Sequence, residues 1–369
     1  MKAATRDYLI AIDAGGTMTD AFVVDKKGRF AVGKALTNRR NEAASYLESV
    51  ADAAPKLAID RVELHRRALV SLYSGTGMLN TLLTRSGARV GLLVTRGHEH
   101  MPLHERGLTW LNLSGNDLLH QPLHEHTPEL IDYRHVRGIT ERVASGSYYF
   151  QLQPGTAVIP LNEAEVRTAV SELIEAGVEV IGIVFLFSYL NPVHEKRAAE
   201  IAREVVARSG KDVKIVTSHE LAPVLKEEQR YKSVLVQCYA AERTRQQLLG
   251  VEEAARREGY PADLLTLTAY GSAVDIRHPR LYETVVSGPV GGLIGSSVIG
   301  KLKGLRKVVA TDLGGTSFDV GLIVDGLIPM KREPDFAGHR LALPMVELDS
   351  IGAGAGTAVR VDRFQRVEL

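Results

Sequence analysis

IAIDAGGTMTDAFVVD runs from Ile10 to Asp25, and VATDLGGTSFDVGLIVD runs from Val309 to Asp325. Both carry D-x-G-G-T-x-x-D between two apolar runs, which reads as a β-hairpin with a glycine-rich tip. Two adjacent glycines remove Cβ atoms, so backbone N–H groups can approach a ligand closely. A run of such amides makes an anion-binding nest. Thr17 and Thr316 add hydroxyl donors. Asp13 and Asp312 fall at strand ends, where a carboxylate can hold water or Mg²⁺ near a phosphate. One such loop could do no more than turn a hairpin. Two copies, each between apolar strands, predict paired grips on the polyphosphate of a single nucleotide.

Working outward from the first motif, YLIAI, DAFVVD and RFAVGKAL read as three strands, with Lys26-Lys27-Gly28 as a turn. Asn41 caps a helix through YLESVADAA. ALVSLYS, a Gly-Thr-Gly turn, MLNTLLTRSG and RVGLLVT follow as strand, turn, helix and strand, the unit of a parallel sheet. His98 to Pro160 are less regular and suggest an inserted lobe. Asn162 then caps the helix NEAEVRTAVSELIEAG, which Gly177 stops. VEVIGIVFLF is nearly all apolar, as a strand buried on both faces should be. The helix VHEKRAAEIAREVVARSG and the strand VKIVTS complete a further βαβ stretch. A long polar helix spans about Glu227 to Glu258 and bridges to the second half. LLTLTAY reads as a strand, SGPVGGLIGSS as a glycine-rich turn entering a helix, and KVVAT as the strand feeding the second motif. After Asp312 the opening pattern returns: loop, strand VGLIV, a turn at Asp325-Gly326 and another strand. This is a repeat of a domain start, in two copies.

The 369 residues allow two or three domains with cores of their own. Lys+Arg number 45 against 44 Asp+Glu, so no net field favours nucleic acid or an anionic membrane. No apolar stretch approaches the roughly 20 residues of a membrane span, and MKAATRDYLIAI has no signal-peptide core. A cytoplasmic location is expected. The single cysteine, Cys238, excludes a disulfide framework within the chain and reads as a small core residue in VLVQCYAA.

The paired loops resemble those of the actin-like (ribonuclease H-like) ATPase superfamily, which includes sugar kinases and actin. GTGMLNTLLTRSGARVGLLVTRGHEH, FSYLNPVHEKRAAEI, SGPVGG, DLGGTSFDV and SIGAGAG together resemble the hydantoinase/oxoprolinase family across essentially the whole chain. SHELAPVLKEEQRYKSVLVQCYAAE and AYGSAVDI point, within that family, to the ATP-dependent ketone carboxylases. The resemblance implies an α/β fold with two similar lobes around a nucleotide cleft, here 1–226 and 227–369. It implies an ATP-binding subunit of a hetero-oligomer that phosphorylates acetone and/or bicarbonate for acetoacetate formation, with Mn²⁺ on a partner subunit. Asp13, Gly15, Gly16, Thr17 and Thr19 fall on the family's first phosphate motif, and Asp312, Gly314, Gly315, Thr316 and Ser317 on the second. Asp13 and Asp312 take the catalytic and metal-holding roles. Gly352, Gly354 and Gly356 match a segment near the nucleoside, where the family more often has three successive glycines and this chain has Ala355 between two of them. Ring opening of a cyclic amide by a hydantoinase or 5-oxoprolinase uses the same ATP chemistry and remains a second reading. A nucleotide-gated binding protein like actin or a chaperone is a third.

Other residues carry open alternatives. Ser287, Gly288, Gly291 and Gly292 either line the cleft or pack helix on strand. Asp20 and Asp319 either orient a water or Mg²⁺ or close their hairpins through backbone amides, the structural role being preferred. His98, His100, His104, His120, His124 and His126 form either a metal site or, as preferred, a polar contact loop. The family's segment there is more acidic. The second motif opens so late that a lobe matching the first does not fit after it, which predicts a C-terminally truncated chain.

Overall fold

The computed structural model describes residues 6–101, 128–148, 150–315, 317–363, 365, 367 and 368. In chain order its main elements are β1 (Tyr8–Ala14), β2 (Met18–Asp25), β3 (Phe30–Leu36), α1 (Glu42–Ala53), β4 (Ala68–Gly75), α2 (Gly77–Leu83), β5 (Val90–Thr95) and β6 (Val136–Ile139). There follow α3 (Glu163–Glu175), β7 (Val180–Val184), α4 (Val193–Ser209), β8 (Lys214–Thr217), α5 (Glu227–Arg257), β9 (Leu265–Leu267) and β10 (Ala273–Asp275). The last are α6 (Gly288–Leu302), β11 (Lys307–Leu313), β12 (Phe318–Val324) and β13 (Leu348–Ile351). The fold is α/β with mixed sheets.

Two compact units divide the chain. The first takes residues 1–80, 244–331 and 344–369. It holds a six-stranded sheet in the order β10-β9-β4-β1-β2-β3. Alternation along β1 buries Tyr8, Ile10, Ile12 and Ala14, as period-two patterning requires. α1 packs on β3, where Gly33 admits the helix: a Cβ there would collide with the Ser49 carbonyl and lie 2.6 Å from the Ala53 nitrogen. Asn41 starts α1 by accepting the Ala44 N–H at 3.3 Å. The same unit holds a three-stranded sheet, β11-β12-β13, on which α6 packs Val290 and Leu293 in one cluster with Ile323 of β12.

The second unit takes residues 81–243 and 332–343. Its four-stranded sheet, β8-β7-β5-β6, is wholly parallel. Every residue of β5 and β7 is buried, the signature of strands covered on both faces. Ile181, Ile183, Val166, Val170, Leu173 and Ala202 form its core with α3 and α4.

Three readings need correction. The strand-turn-helix-strand stretch over 68–95 does not form one parallel pair. β4 and β5 lie in different sheets and units, and β4 takes the distant β9 as its neighbour. Local pattern encodes the strands but not their partners. Within the irregular 98–160 region, Val136–Ile139 is a short strand beside β5. The helix read as polar is buried at every residue from Glu228 to Tyr239, because its polar side chains bond inside the fold. Arg230, for example, donates to Ser188, Ser218 and the Phe185 carbonyl.

Candidate functional site

The two repeated motifs fold as the same hairpin, both in the first unit. In β1–β2, Asp13 stands opposite Asp20, and in β11–β12, Asp312 stands opposite Asp319. The Gly15 N–H donates to the Met18 carbonyl at 2.9 Å, and the Gly314 N–H donates to the Ser317 carbonyl at 2.9 Å. Directly opposed residues of an antiparallel pair share a face. Each motif's two aspartates therefore project together beside its tip.

Neighbouring groups hold the first tip from behind. Thr37 donates its hydroxyl to the Gly15 carbonyl at 2.8 Å and its N–H to the Thr17 carbonyl at 2.9 Å. Arg39 Nε donates to the Gly16 carbonyl at 3.0 Å. In a trans peptide the next N–H points opposite to the carbonyl, so these bonds aim the amides of Gly16, Thr17 and Met18 the other way. Thr19 is fully buried, and its hydroxyl meets that of Thr37 at 3.0 Å. It stands behind the loop with Thr37. At the second tip the Ala355 N–H donates to the Gly314 carbonyl at 3.0 Å, which aims the Gly315 amide away in the same manner. The residue that interrupts the SIGAGAG glycines thus ties that segment to the second loop through its backbone. Gly352 and Gly356 have open space around them.

The two tips touch. A Cβ built at Gly315 would lie 2.5 Å from Thr17 Oγ1. Gly288, the first residue of α6, packs so closely that its Cβ would lie 2.6 Å from Asp13 Oδ1. Ser287 donates its hydroxyl to the Gly75 carbonyl at 3.0 Å and accepts the Gly75 N–H at 3.2 Å. Ser287 and Gly288 therefore belong to the site's wall. Gly291 makes only ordinary contact with Leu267, and Gly292 faces open space.

Negative charge dominates this wall. Asp13 keeps solvent access, but the surrounding protein strips part of its hydration. That loss, with Asp312 and Asp20 nearby, pushes its pKa up to about 6. Asp312 is also raised, first by lost hydration and then by Asp319 and Asp20. Lys34 answers Asp20 at 2.6 Å and eases Asp13. Ser317 donates weakly to Asp319 at 3.4 Å. Crowded carboxylates that resist ionisation invite a cation. Among the described residues no group of three or more His, Cys, Asp or Glu forms a metal cage. The crowded carboxylates of Asp13 and Asp312 fit Mg²⁺, which keeps waters and takes one or two carboxylates plus phosphate oxygens.

Thr316 lies outside the described residues, as do Trp110, His104, His120, His124 and His126. His100 stacks on Tyr133 at 4.7 Å and bonds its hydroxyl at 3.2 Å. Cys238 is buried, which raises its thiol pKa well above the usual range. Sequence reasoning missed Lys34, Thr37 and Arg39. They are ordinary residue types, and only strand register brings them to the tip. Among the described residues no helix is long and apolar enough to cross a membrane.

Family models described as hydantoinase/oxoprolinase N-terminal region and hydantoinase/oxoprolinase match residues 9–206 and 230–369. The chain is 38% identical to the acetone carboxylase beta subunit of Xanthobacter autotrophicus, over 97% of this chain and 49% of that one. It is 32% identical to the acetophenone carboxylase gamma subunit of Aromatoleum aromaticum, over 96% and 48%. A nucleotide-free structure of acetone carboxylase superposes with a TM-score of 0.87 at 37% identity, covering 98% of this chain and 50% of that one. The chain spans about half the length of the curated relatives it matches.

Proposed function

The chain belongs to the hydantoinase/oxoprolinase family, and on that premise we propose that it is the ATP-using part of a ketone carboxylase with an actin-like nucleotide fold. The observation that carries this reading is the contact between two like hairpins whose tips present glycine amides beside paired aspartates. The amides of Gly16, Thr17 and Met18 take one part of the phosphate chain, while the Gly15 N–H closes the hairpin on Met18. Those of Gly315, Thr316 and Ser317 take another, while the Gly314 N–H closes the second hairpin on Ser317. Thr19 steadies the first loop from behind, and Gly352, Gly354 and Gly356 border the nucleoside. Asp13 and Asp312 hold Mg²⁺, which supplies charge neutralisation on the phosphoryl group in flight. Fixed amide donors serve phosphoryl transfer well, because little of the barrier is covalent chemistry and much is positioning.

Ketone and bicarbonate are both unreactive at neutral pH, and phosphorylation gives each a leaving group or a trapped enol. Such species hydrolyse in water, so they must pass to a second centre through a protected route. We assign the carbon–carbon bond-forming step to that second centre, on partner subunits, where Mn²⁺ is expected. The test incubates the chain with ATP, Mg²⁺, acetone and labelled bicarbonate, alone and with the proteins that co-purify with it. Labelled acetoacetate only in the assembly supports the reading. Product from the chain alone contradicts the division of labour. ATP-dependent opening of caprolactam or 5-oxoproline, with no use of acetone, replaces it with the cyclic-amide reading.

A further inference from the structure

Residues 143–162 hold no Asp, Glu, Lys, Arg or His, although 24% of the chain is charged. An uncharged stretch of that length suits a core, yet much of this one faces solvent. It lies in the second unit, where Arg142–Val143 pairs with Ala157–Ile159 as the stem of a hairpin. Towards the tip Tyr148 is 94% exposed and Phe150 79%. Val158 and Ile159 in the stem are exposed as well. Single apolar side chains on a surface need no explanation, but several on one uncharged hairpin mark a site of contact. The tip is also firmly built. Ser147 and Leu152 exchange both backbone hydrogen bonds, each at 2.9 Å. The Gln151 N–H donates to the Tyr148 carbonyl at 3.2 Å, and the Phe150 N–H to Ser147 Oγ at 3.4 Å. Gly146 takes a φ of +100°, and a Cβ there would lie 3.0 Å from Pro154 Cγ, so the turn needs glycine. Asn191 donates its side-chain amide to the Gly155 carbonyl at 2.8 Å, which pins the hairpin to the loop before α4. A tip held in this way gives up little freedom on binding, and its aromatic rings offer large contact areas.

Composition selects the kind of partner. A membrane surface or a nucleic acid asks for lysine and arginine, and 143–162 carries neither. A second copy of this chain would have to offer an apolar pocket. The concavity around Arg89, Asp132 and Arg134 is rimmed by charge, and the cleft beside Gly75 has about 10 Å³, scarcely room for a water. Few charges together with exposed aromatic rings are what the centre of a protein–protein interface shows. We propose that the 144–155 hairpin is a plug for an apolar, uncharged pocket on a partner subunit of different sequence. The inference rests on the hetero-oligomer of the reading above and names the surface that joins it. Tyr148 and Phe150 are the anchors that carry the affinity, and Val158 and Ile159 keep water from them.

The test takes the full chain and the subunits that co-purify with it, separates them and recombines them, with Tyr148→Ala, Phe150→Ala and Phe150→Trp. Melting temperature and far-ultraviolet circular dichroism report folding, and both should stay at their wild-type values because the altered side chains are exposed. Each alanine is expected to weaken recombination about tenfold or more in Kd, read by analytical ultracentrifugation, the scale of an interface anchor. The emission that Phe150→Trp adds to the wild-type spectrum should move to shorter wavelength and lose its quenching by iodide when the partners bind. Wild-type Kd in both alanine variants, or added emission that iodide still quenches in the assembly, overturns the plug and leaves the hetero-oligomer standing. A wild-type chain that pairs only with itself, through a contact that Phe150→Ala breaks, overturns the choice of partner. A wild-type chain that recombines with nothing overturns both.

Discussion

Asp13 condenses the chemistry of the site into one titration. Its pKa in the fold is about 6, against 3.8 for an unperturbed aspartate. A raised carboxyl pKa means that the folded state binds the proton more tightly than the unfolded chain does. Asp13 therefore favours folding most below pH 4, and that contribution is lost as the pH rises from about 4 to about 6. Asp13→Asn should raise the melting temperature of the nucleotide-free protein at pH 7.5, with the difference vanishing near pH 4. The same variant should lower ATP turnover by roughly a hundredfold or more while MgATP affinity falls far less, as removal of a group acting on the transition state does. Equal losses in both quantities would assign Asp13 a binding role instead. MgATP affinity of the wild type should weaken as the pH drops through 6, because protons then compete with the metal. Gly315→Val tests the contact between tips. Its side chain meets Thr17, so nucleotide affinity should fall at least tenfold with little change in the far-ultraviolet circular dichroism. The eight-residue motifs made Asp13, Gly15, Gly315 and their neighbours legible in the sequence. Lys34, Thr37 and Arg39 were not, since only the register of β3 against β2 brings them to the tip.

At the scale of elements, the hairpins, α1, α3, α4 and α5 followed from apolar period, caps and glycine stops. The Asp325-Gly326 turn also emerged as expected, with both residues at positive φ, the geometry a two-residue hairpin favours. The strand after it did not join β12. Met330–Lys331 pairs with Met345–Val346, and β12 takes β13 as its neighbour. In the first copy β3 follows β2 directly. The second copy inserts a segment before its third strand, and no local pattern marks which strand closes a sheet. The junction of β3 with α1 depends on Gly33, whose missing side chain lets the helix approach. Gly33→Ala should destabilise the protein by about 1–3 kcal/mol or more through overpacking. Urea denaturation measures it, and MgATP affinity of the remaining folded protein should be unchanged. A neutral result would mean that α1 does not sit where Gly33 places it.

For the whole molecule, the informative fact is how far apart in sequence the parts of one unit lie. Residues 1–80 and 244–331 fold together, and 81–243 form a parallel sheet of their own. The repeat predicted that the two motifs cooperate, and it carried that prediction across the intervening unit. It did not reveal that unit's boundaries, because β4 and β5 look like consecutive strands of one sheet until their distant partners are known. The function argued here likewise depends on the repeat: one loop turns a hairpin, whereas two in contact can hold both ends of a phosphate chain. The most direct measurement is a structure of the protein with MgADP and a phosphate analogue such as aluminium fluoride. The account predicts phosphate oxygens within hydrogen-bonding distance of amides from both tips, Gly16–Met18 and Gly315–Ser317, with Asp13 and Asp312 facing the Mg²⁺ ion. A nucleotide whose phosphates meet only one of the two tips, or lie elsewhere, would contradict it.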